Sequence, residues 1–380
     1  MSSRAWRLLA DDGAGAAAGL GLDEALMAGY GRDARQQPPT LRLYTYRSHC
    51  ALIGRYQNLE AEVDLDACAR TGTQVSRRPT GGGAIIMGAG QLGVAFISTA
   101  PAGQRPREII EELAAAVAAG LAGLGITAMF RGKNDLEAAG RKIAGLGLYV
   151  DDSGGMLFHA SVLADLDIPF MLEVLRIPAA KLADKAASAV AERVTTVTRE
   201  TSRPWSGAAL RDAIAAGFAM AFGATLEAAV PTAGERSRAA ALAADRYGAR
   251  AWLADRSLAA DGSGSAVLKT PAGLARIYVT THGDLVKNAI VVGDFNALPA
   301  ALVELESALR WRRLDERSVA AAVARSGAAE ALGVPAGQLT LAVLDAGRQA
   351  DQRATAAPVR ATGSCYFPDA DVPAPALNGA

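Results

Sequence analysis

The chain of 380 residues holds 39 Lys and Arg against 39 Asp and Glu, with 51% hydrophobic and 21% charged residues. That balance is globular, which excludes a disordered chain, and the length suits a large domain with a smaller one. Zero net charge excludes a grossly basic nucleic-acid coat; three cysteines without paired spacing (Cys50, Cys68, Cys365) specify neither a disulfide framework nor a zinc ribbon.

Asp11 and Asp12 stand where a signal peptide needs its apolar stretch, so the chain is expected to be cytoplasmic. A helix is expected over residues 20–30. Strands follow over 41–46, where Leu-Arg-Leu-Tyr-Thr-Tyr alternates, and over 50–54 and 94–98. Residues 113–130 are eighteen uncharged positions, the length of a membrane span. Their Ala and Gly content, with Glu108, Glu111 and Glu112 ahead and Gly123 or Gly125 behind, instead predicts a helix over 108–121 and a strand over 126–130. No membrane is expected as a partner.

Further strands are predicted over 142–150 and 156–163, and helices over 168–175 and 207–222, the latter capped by Ser206. Strands in pairs with interspersed helices indicate an α+β fold with a mixed or antiparallel sheet and flanking helices. Residues 231–245, Ala- and Arg-rich without apolar patterning, read as a hinge. Runs over 273–280 and 284–292 around Thr281-His282-Gly283-Asp284 predict a hairpin, and a helix follows over 299–309. The expected division is a catalytic domain over 1–230, the hinge, a small α+β accessory domain over 246–348, and a flexible tail over 349–380.

Several chemistries fall away. His49, His159 and His282 lack the spacing of a metal site, and neither a G-x-S-x-G elbow nor a Walker loop occurs. Gly88-Ala89-Gly90-Gln91-Leu92-Gly93 matches G-x-G-x-x-G, but a predicted strand follows it where a dinucleotide site needs a helix. The strongest local signal is Arg77-Arg78-Pro79-Thr80-Gly81-Gly82-Gly83-Ala84. Three glycines let backbone N–H groups approach an anion, and two arginines can pair with phosphate or carboxylate. Most glycine triplets are plain surface loops. Here residues 67–107 contain five arginines and no acid, which favours an anion site.

A second cluster is Asn134-Asp135-Leu136 with Gly140-Arg141-Lys142-Ile143-Ala144-Gly145. A lysine opening a strand can neutralise charge developing during acyl transfer, and Asp135 can hold Mg²⁺ beside phosphate oxygens. The alternative is a solvated Lys-Arg pair at a strand end.

In order, these segments resemble the lipoate–protein ligase A family of the biotin/lipoate ligase superfamily. The matching residues are Leu22-Asp23-Glu24-Ala25-Leu26, Leu41-Arg42-Leu43-Tyr44, Ile53-Gly54-Arg55-Tyr56-Gln57-Asn58, the Arg77–Ala84 loop, Asn134-Asp135-Leu136, Gly140-Arg141-Lys142-Ile143, His159 and Gly293-Asp294-Phe295. The resemblance implies ATP-dependent activation of lipoate to lipoyl-AMP, then transfer to a lysine of an acceptor lipoyl-domain protein. It implies Lys142 as the catalytic residue. Arg77, Arg78, Thr80, Gly81, Gly82, Gly83, Asn134, Asp135, Gly145 and His159 would bind lipoate and ATP, with Mg²⁺ on Asp135. A monomer and no nucleic-acid partner are expected.

The chain departs from the family pattern in two places. Met87, Gly88 and Gln91 stand where the family carries His-Asp-x-Gly-Asn, and Ala144 and Leu146 replace two serines of the lysine strand. These changes bear on the acid and the acceptor. One rival is an octanoyl- or lipoyltransferase without ATP, although no cysteine lies in or just after the Lys142 strand. The other is a non-catalytic homologue that binds lipoyl groups or nucleotide.

Overall fold

The computed structural model describes residues 4–31, 37–132, 134–176, 190–256, 263–295 and 299–356. The chain divides into two compact units. One comprises Met1–Ser257 with Lys269–Ala275 and Val292–Ala300, the other Leu258–Leu268, Arg276–Val291 and Ala301–Ala380. The fold is α+β, as expected.

The first unit is built on eight strands: β1 (Arg4–Ala14), β2 (Thr40–Tyr46), β6 (Gln91–Thr99), β7 (Ala128–Arg131), β8 (Asp135–Ala138), β9 (Arg141–Val150), β10 (Gly155–Leu163) and β11 (Ala224–Ala228). Their order across the sheet is β11-β1-β2-β6-β10-β9-β8-β7. Pairing is parallel from β11 to β2 and antiparallel thereafter. A smaller sheet runs in the order β4 (Gln74–Arg77), β3 (Cys50–Ile53), β5 (Ile85–Met87).

Two-residue periodicity sorts the side chains between the faces of the large sheet. Leu41 and Leu43 of β2, with Phe158, Ala160 and Val162 of β10, enter a core with the helices Pro106–Ala122 and Arg211–Phe222. Those helices approach closely at Gly120 and Gly217, where an added Cβ would meet the opposite backbone. Tyr44 and Tyr46 of β2 and Leu157 of β10 point the other way. They pack with the helix Ala16–Met27 and with Cys50, Leu52 and Met87 of the small sheet. A cleft lies on this second face, lined by Leu20, Tyr44, Leu52 and Met87.

Three features differ from the sequence expectation. β1 went unpredicted because Asp11 and Asp12 interrupt its apolar pattern; Arg42 and Arg211 pair with those acids. Residues 231–245, expected as a hinge, instead carry the helix Ala233–Leu242. Thr232 and Glu235 form its capping box, Arg7 holds Glu235 through two hydrogen bonds of 2.8 and 3.0 Å, and Gly21 lets the helix backbone approach. Residues 349–356, expected as part of the tail, instead continue the helix Ala336–Ala356; residues 357–380 lie outside the described residues.

The second unit centres on the sheet β12 (Ser263–Thr270), β13 (Gly273–His282), β14 (Leu285–Gly293). It also contains the helices Ala300–Leu309, Glu316–Ser326, Ala328–Leu332 and Ala336–Ala356. The expected hairpin is β13–β14. Among the described residues no helix is long and apolar enough to cross a membrane.

Candidate active site

One register row crosses the open face of the large sheet. Tyr44 of β2 lies opposite Gly93 of β6, Gly93 opposite Ser161 of β10, Ser161 opposite Gly145 of β9, and Gly145 opposite Asp135 of β8. At ~4.8 Å per strand, Asp135 and Gly93 are about 14 Å apart. The glycines make room for their neighbours: a Cβ would lie 2.5 Å from the Tyr44 ring at Gly93, 3.1 Å from Lys142 Nζ at Gly145, and 3.1 Å from Thr80 Cβ at Gly147. The result is a cleft open to solvent, of about 600 Å³ including its mouth. Apolar Leu20, Tyr44, Leu52, Ile85 and Met87 line it together with polar Arg78, Asn134, Lys142 and His159.

Lys142 enters from a bulge between β8 and β9. Its carbonyl accepts the Thr195 N–H at 2.8 Å, and the Asn134 carbonyl accepts the Leu146 N–H at 2.7 Å, so both residues are fixed by backbone bonds. Lys142 Nζ lies 2.8 Å from Asp135 Oδ1, and each side chain is about one-third exposed. The contact is an ion pair whose angles leave Oδ1 without a hydrogen bond. Mg²⁺ carried with nucleotide phosphates needs one or two protein carboxylates, and Asp135 fits that need. No cluster of three ligating side chains occurs among the described residues.

The two arginines of the glycine loop part company. Arg77 is fully buried and spends its guanidinium on backbone. It donates to the carbonyls of Gly54, Arg55 and Gln57 and of Trp252, Leu253 and Asp255, at 2.6–3.2 Å. It is therefore a clamp between segments of the first unit, outside the cleft lining. Arg78 lines the cleft and donates to the carbonyls of Leu52, Gly81 and Gly83 at 2.6–2.9 Å. Burial pushes its guanidinium down to about 10, so it remains a cation at neutral pH, and no carboxylate among the described residues pairs with it.

Gly82 has φ 89°, a left-handed conformation natural to glycine, and a Cβ there would press within 3.1 Å of Arg78 Nη2 and 3.3 Å of Asn134 Nδ2. Gly83 faces open space in the cleft. Gly81 offers its carbonyl to Arg78. For Arg77→Met we expect a stability loss of at least about 3 kcal/mol, because buried carbonyls lose their donors at ~1–3 kcal/mol each. Urea unfolding measures it; a loss under about 1 kcal/mol would contradict the clamp.

His159 sits on the cleft floor at the end of a buried chain of charge that sequence reading did not assemble. Its Nε2 lies 2.9 Å from Asp23 Oδ2 and its Nδ1 is 3.5 Å from Thr80 Oγ1. Arg42 donates to Asp23 Oδ1 and to Asp11 Oδ2, both at 2.6 Å, and to the Gly19 carbonyl at 2.9 Å. Asp23 and Arg42 are both completely buried. Burial alone would push the Asp23 carboxyl up; Arg42 and His159 outweigh it and hold the group below the usual carboxylate range. The available signal was an acid inside an apolar helix and an arginine inside an apolar strand.

The departures from the family pattern fall on both faces of the sheet. Ala144 and Leu146 belong to the core beneath it, with an edge of Leu146 reaching the cleft. Met87 lies inside the cleft, its sulfur accepting the Ser161 hydroxyl at 2.9 Å. Gly88 lies against the His49 ring, and Gln91 donates to the Asp165 carbonyl at 2.7 Å. Cys50 and Cys68 are buried in apolar clusters outside the cleft lining. Burial pushes their thiols up to about 12 and about 11. Cys365 is outside the described residues.

Residues 16–219 match the model of the lipoyl protein ligase A/B catalytic domain. The chain belongs to that family. It is thus an enzyme of the lipoate ligase and octanoyltransferase group. The octanoyltransferase LipM of Symbiobacterium thermophilum is 32% identical over 272 residues, covering 65% of this chain and 97% of that protein. A chain of the bipartite lipoate protein ligase system of Thermoplasma acidophilum superposes with a TM-score of 0.60 at 27% identity, covering 67% of this chain and 97% of that one. LipL1 of P. falciparum, solved with lipoate, shares the fold over 84% of this chain and 94% of its own, with a TM-score of 0.65 at 14% identity. Both branches of the lipoyl ligase family, ligase and transferase, are thus among the relatives.

Proposed function

We propose that the protein is an ATP-dependent lipoate–protein ligase. The observation that carries this reading is the row from Asp135 to Tyr44, with a cation at one end and an apolar wall at the other. An eight-carbon acyl chain is about 9 Å long, because each of its seven ~1.5 Å bonds advances a staggered zigzag by only ~1.25 Å. It fits over Gly145 and Ser161, between Lys142 and the Tyr44 ring, with its carboxylate toward Lys142. In the first step a carboxylate oxygen attacks the α-phosphorus of ATP and pyrophosphate leaves. In the second, the ε-amine of an acceptor lysine attacks the acyl carbon, AMP leaves and the amine gives up a proton.

Lys142 neutralises charge on the oxygens around the mixed anhydride, and Arg78 supplies fixed positive potential beside the glycine loop. His159, held by Asp23, orients the cleft floor. Asn134 lies at the cleft beside Gly82, within reach of a nucleotide. Asp135 would hold Mg²⁺, which supplies charge neutralisation on phosphate when bound.

Direct octanoyl transfer from a carrier thioester, without ATP, is the second reading, favoured by the similarity to LipM. The buried, high-pKa positions of Cys50 and Cys68 weigh against a thioester on either sulfur. One experiment separates the two readings: pyrophosphate exchange into ATP, measured with lipoate and with octanoate. Exchange supports the ligase. No exchange, with octanoyl transfer from an acyl carrier, supports the transferase.

The ligase reading also makes Met87 a limit on the acyl chain. In Met87→Ala, space opens above Ser161, and exchange with acids longer than octanoate should rise about tenfold relative to octanoate. An unchanged chain-length profile would remove Met87 from the acyl path.

A further inference from the structure

Trp311, in the second unit, occupies a position that neither backbone nor core explains. Its φ is 59°, a left-handed conformation in which glycine or asparagine is at ease and a bulky side chain is strained. Three backbone hydrogen bonds hold the segment there against β14. The Trp311 N–H donates to the Val286 carbonyl at 2.7 Å, the Val286 N–H to the Arg312 carbonyl at 2.8 Å, and the Leu314 N–H to the Asp284 carbonyl at 2.7 Å. The side chain recovers little by packing, since it is 56% exposed. Backbone strain of this kind persists only where the surrounding structure holds it, and it gathers at functional sites.

Arginines predominate in the chain around it, at positions 310, 312, 313 and 317. Arg312, Arg317 and Arg325 line a hollow of about 520 Å³ with Ser318. Arg317 and Arg325 share one face of the helix Glu316–Ser326, two turns apart. None of the three has a carboxylate within ion-pair distance among the described residues. Asp284 and Asp315 are engaged elsewhere: Arg313 lies 2.7 Å from Asp284 and 3.9 Å from Asp315, and Asp315 also caps the helix. Arg310 donates to the Asn288 side-chain oxygen at 3.2 Å. Glu316 lies one residue round the helix, toward a different face.

We propose that this face docks an acidic segment of a partner protein, its carboxylates meeting Arg312, Arg317 and Arg325 and an apolar side chain covering Trp311. Tryptophan and arginine are the residues that dominate protein interfaces, and both are presented here on a backbone pinned in place. A nucleic acid is a poorer fit, because it follows an extended basic track and three arginines around one hollow do not form one.

The test uses the full chain and a labelled amphipathic peptide with glutamates on one face and leucines on the other. Controls are the same peptide with lysine for glutamate, and a single-stranded oligonucleotide. The glutamate peptide should bind, more weakly as salt is raised. Trp311→Gly should weaken it at least ~10-fold while Tm stays level or rises, because glycine relieves the left-handed strain. Arg317→Gln with Arg325→Gln should weaken it at least ~10-fold at unchanged Tm, the loss expected when interface anchors are removed. The proposal is overturned if the glutamate peptide fails to bind, if the lysine peptide binds equally, or if the oligonucleotide binds more tightly. A fall in Tm for Trp311→Gly with peptide binding intact overturns it too, since the tryptophan would then be structural.

Discussion

Replacing Lys142 with alanine should lower lipoate-dependent pyrophosphate exchange about 100- to 1000-fold, the ~2.7–4 kcal/mol that one positioned charge-stabilising group contributes to a barrier. Stability should barely change. Lys142 and Asp135 are each about one-third exposed, and a solvent-screened pair of that kind contributes ~0–1 kcal/mol. The contrast makes the result diagnostic: the variant should unfold with the wild type and yet fail to activate the acid. Lys142→Arg should not restore the rate, because the ammonium sits 3.1 Å from the space above Gly145, which a planar guanidinium overfills. Exchange within about threefold of wild type would mean that the charge at the anhydride is neutralised elsewhere, with Arg78 the next candidate.

Alternation along strands was the part of this site most legible in sequence. Leu-Arg-Leu-Tyr-Thr-Tyr at 41–46 announces a strand with two leucines on one face and Arg42, Tyr44 and Tyr46 on the other, and the structure divides them so. The same rule, applied to Arg77 and Arg78, says that neighbours in an extended chain point in opposite directions. Only Arg78 reaches the cleft, so the pair does not form one anion grip.

What sequence could not supply was partnership across long separations. Asp23 and His159 meet 136 residues apart, and Ser161 meets Met87 across 74. No local pattern encodes such contacts; they follow from strand order and register. The helix Ala233–Leu242 was missed for a related reason. Its stability comes from a capping box and a tertiary ion pair with Arg7, and the apolar stripe that periodicity detects is absent.

The second large effect concerns the buried chain of charge. Arg42→Met leaves the fully buried Asp23 carboxylate without its guanidinium partner, and breaking such a pair from one side costs about 3–5 kcal/mol. The double variant Asp23→Leu with Arg42→Met should recover much of that loss, since well-packed apolar residues can replace a buried pair at little cost. Urea unfolding of the two variants decides the matter; equal losses in both would mean that shape at these positions, and not charge, holds the helix Ala16–Met27 to the sheet.

The pH dependence adds an independent check. Because the folded pKa of Asp23 lies below its unfolded value, its ionised form stabilises the protein above a pH of ~4. That contribution disappears as pH falls through the folded pKa. Asp23→Asn should therefore flatten the acid limb of the stability profile while lowering stability at neutral pH. If the dyad also positions His159 for the reaction, Asp23→Asn should lower kcat more than it raises KM for lipoate, a split that a purely structural role would not produce.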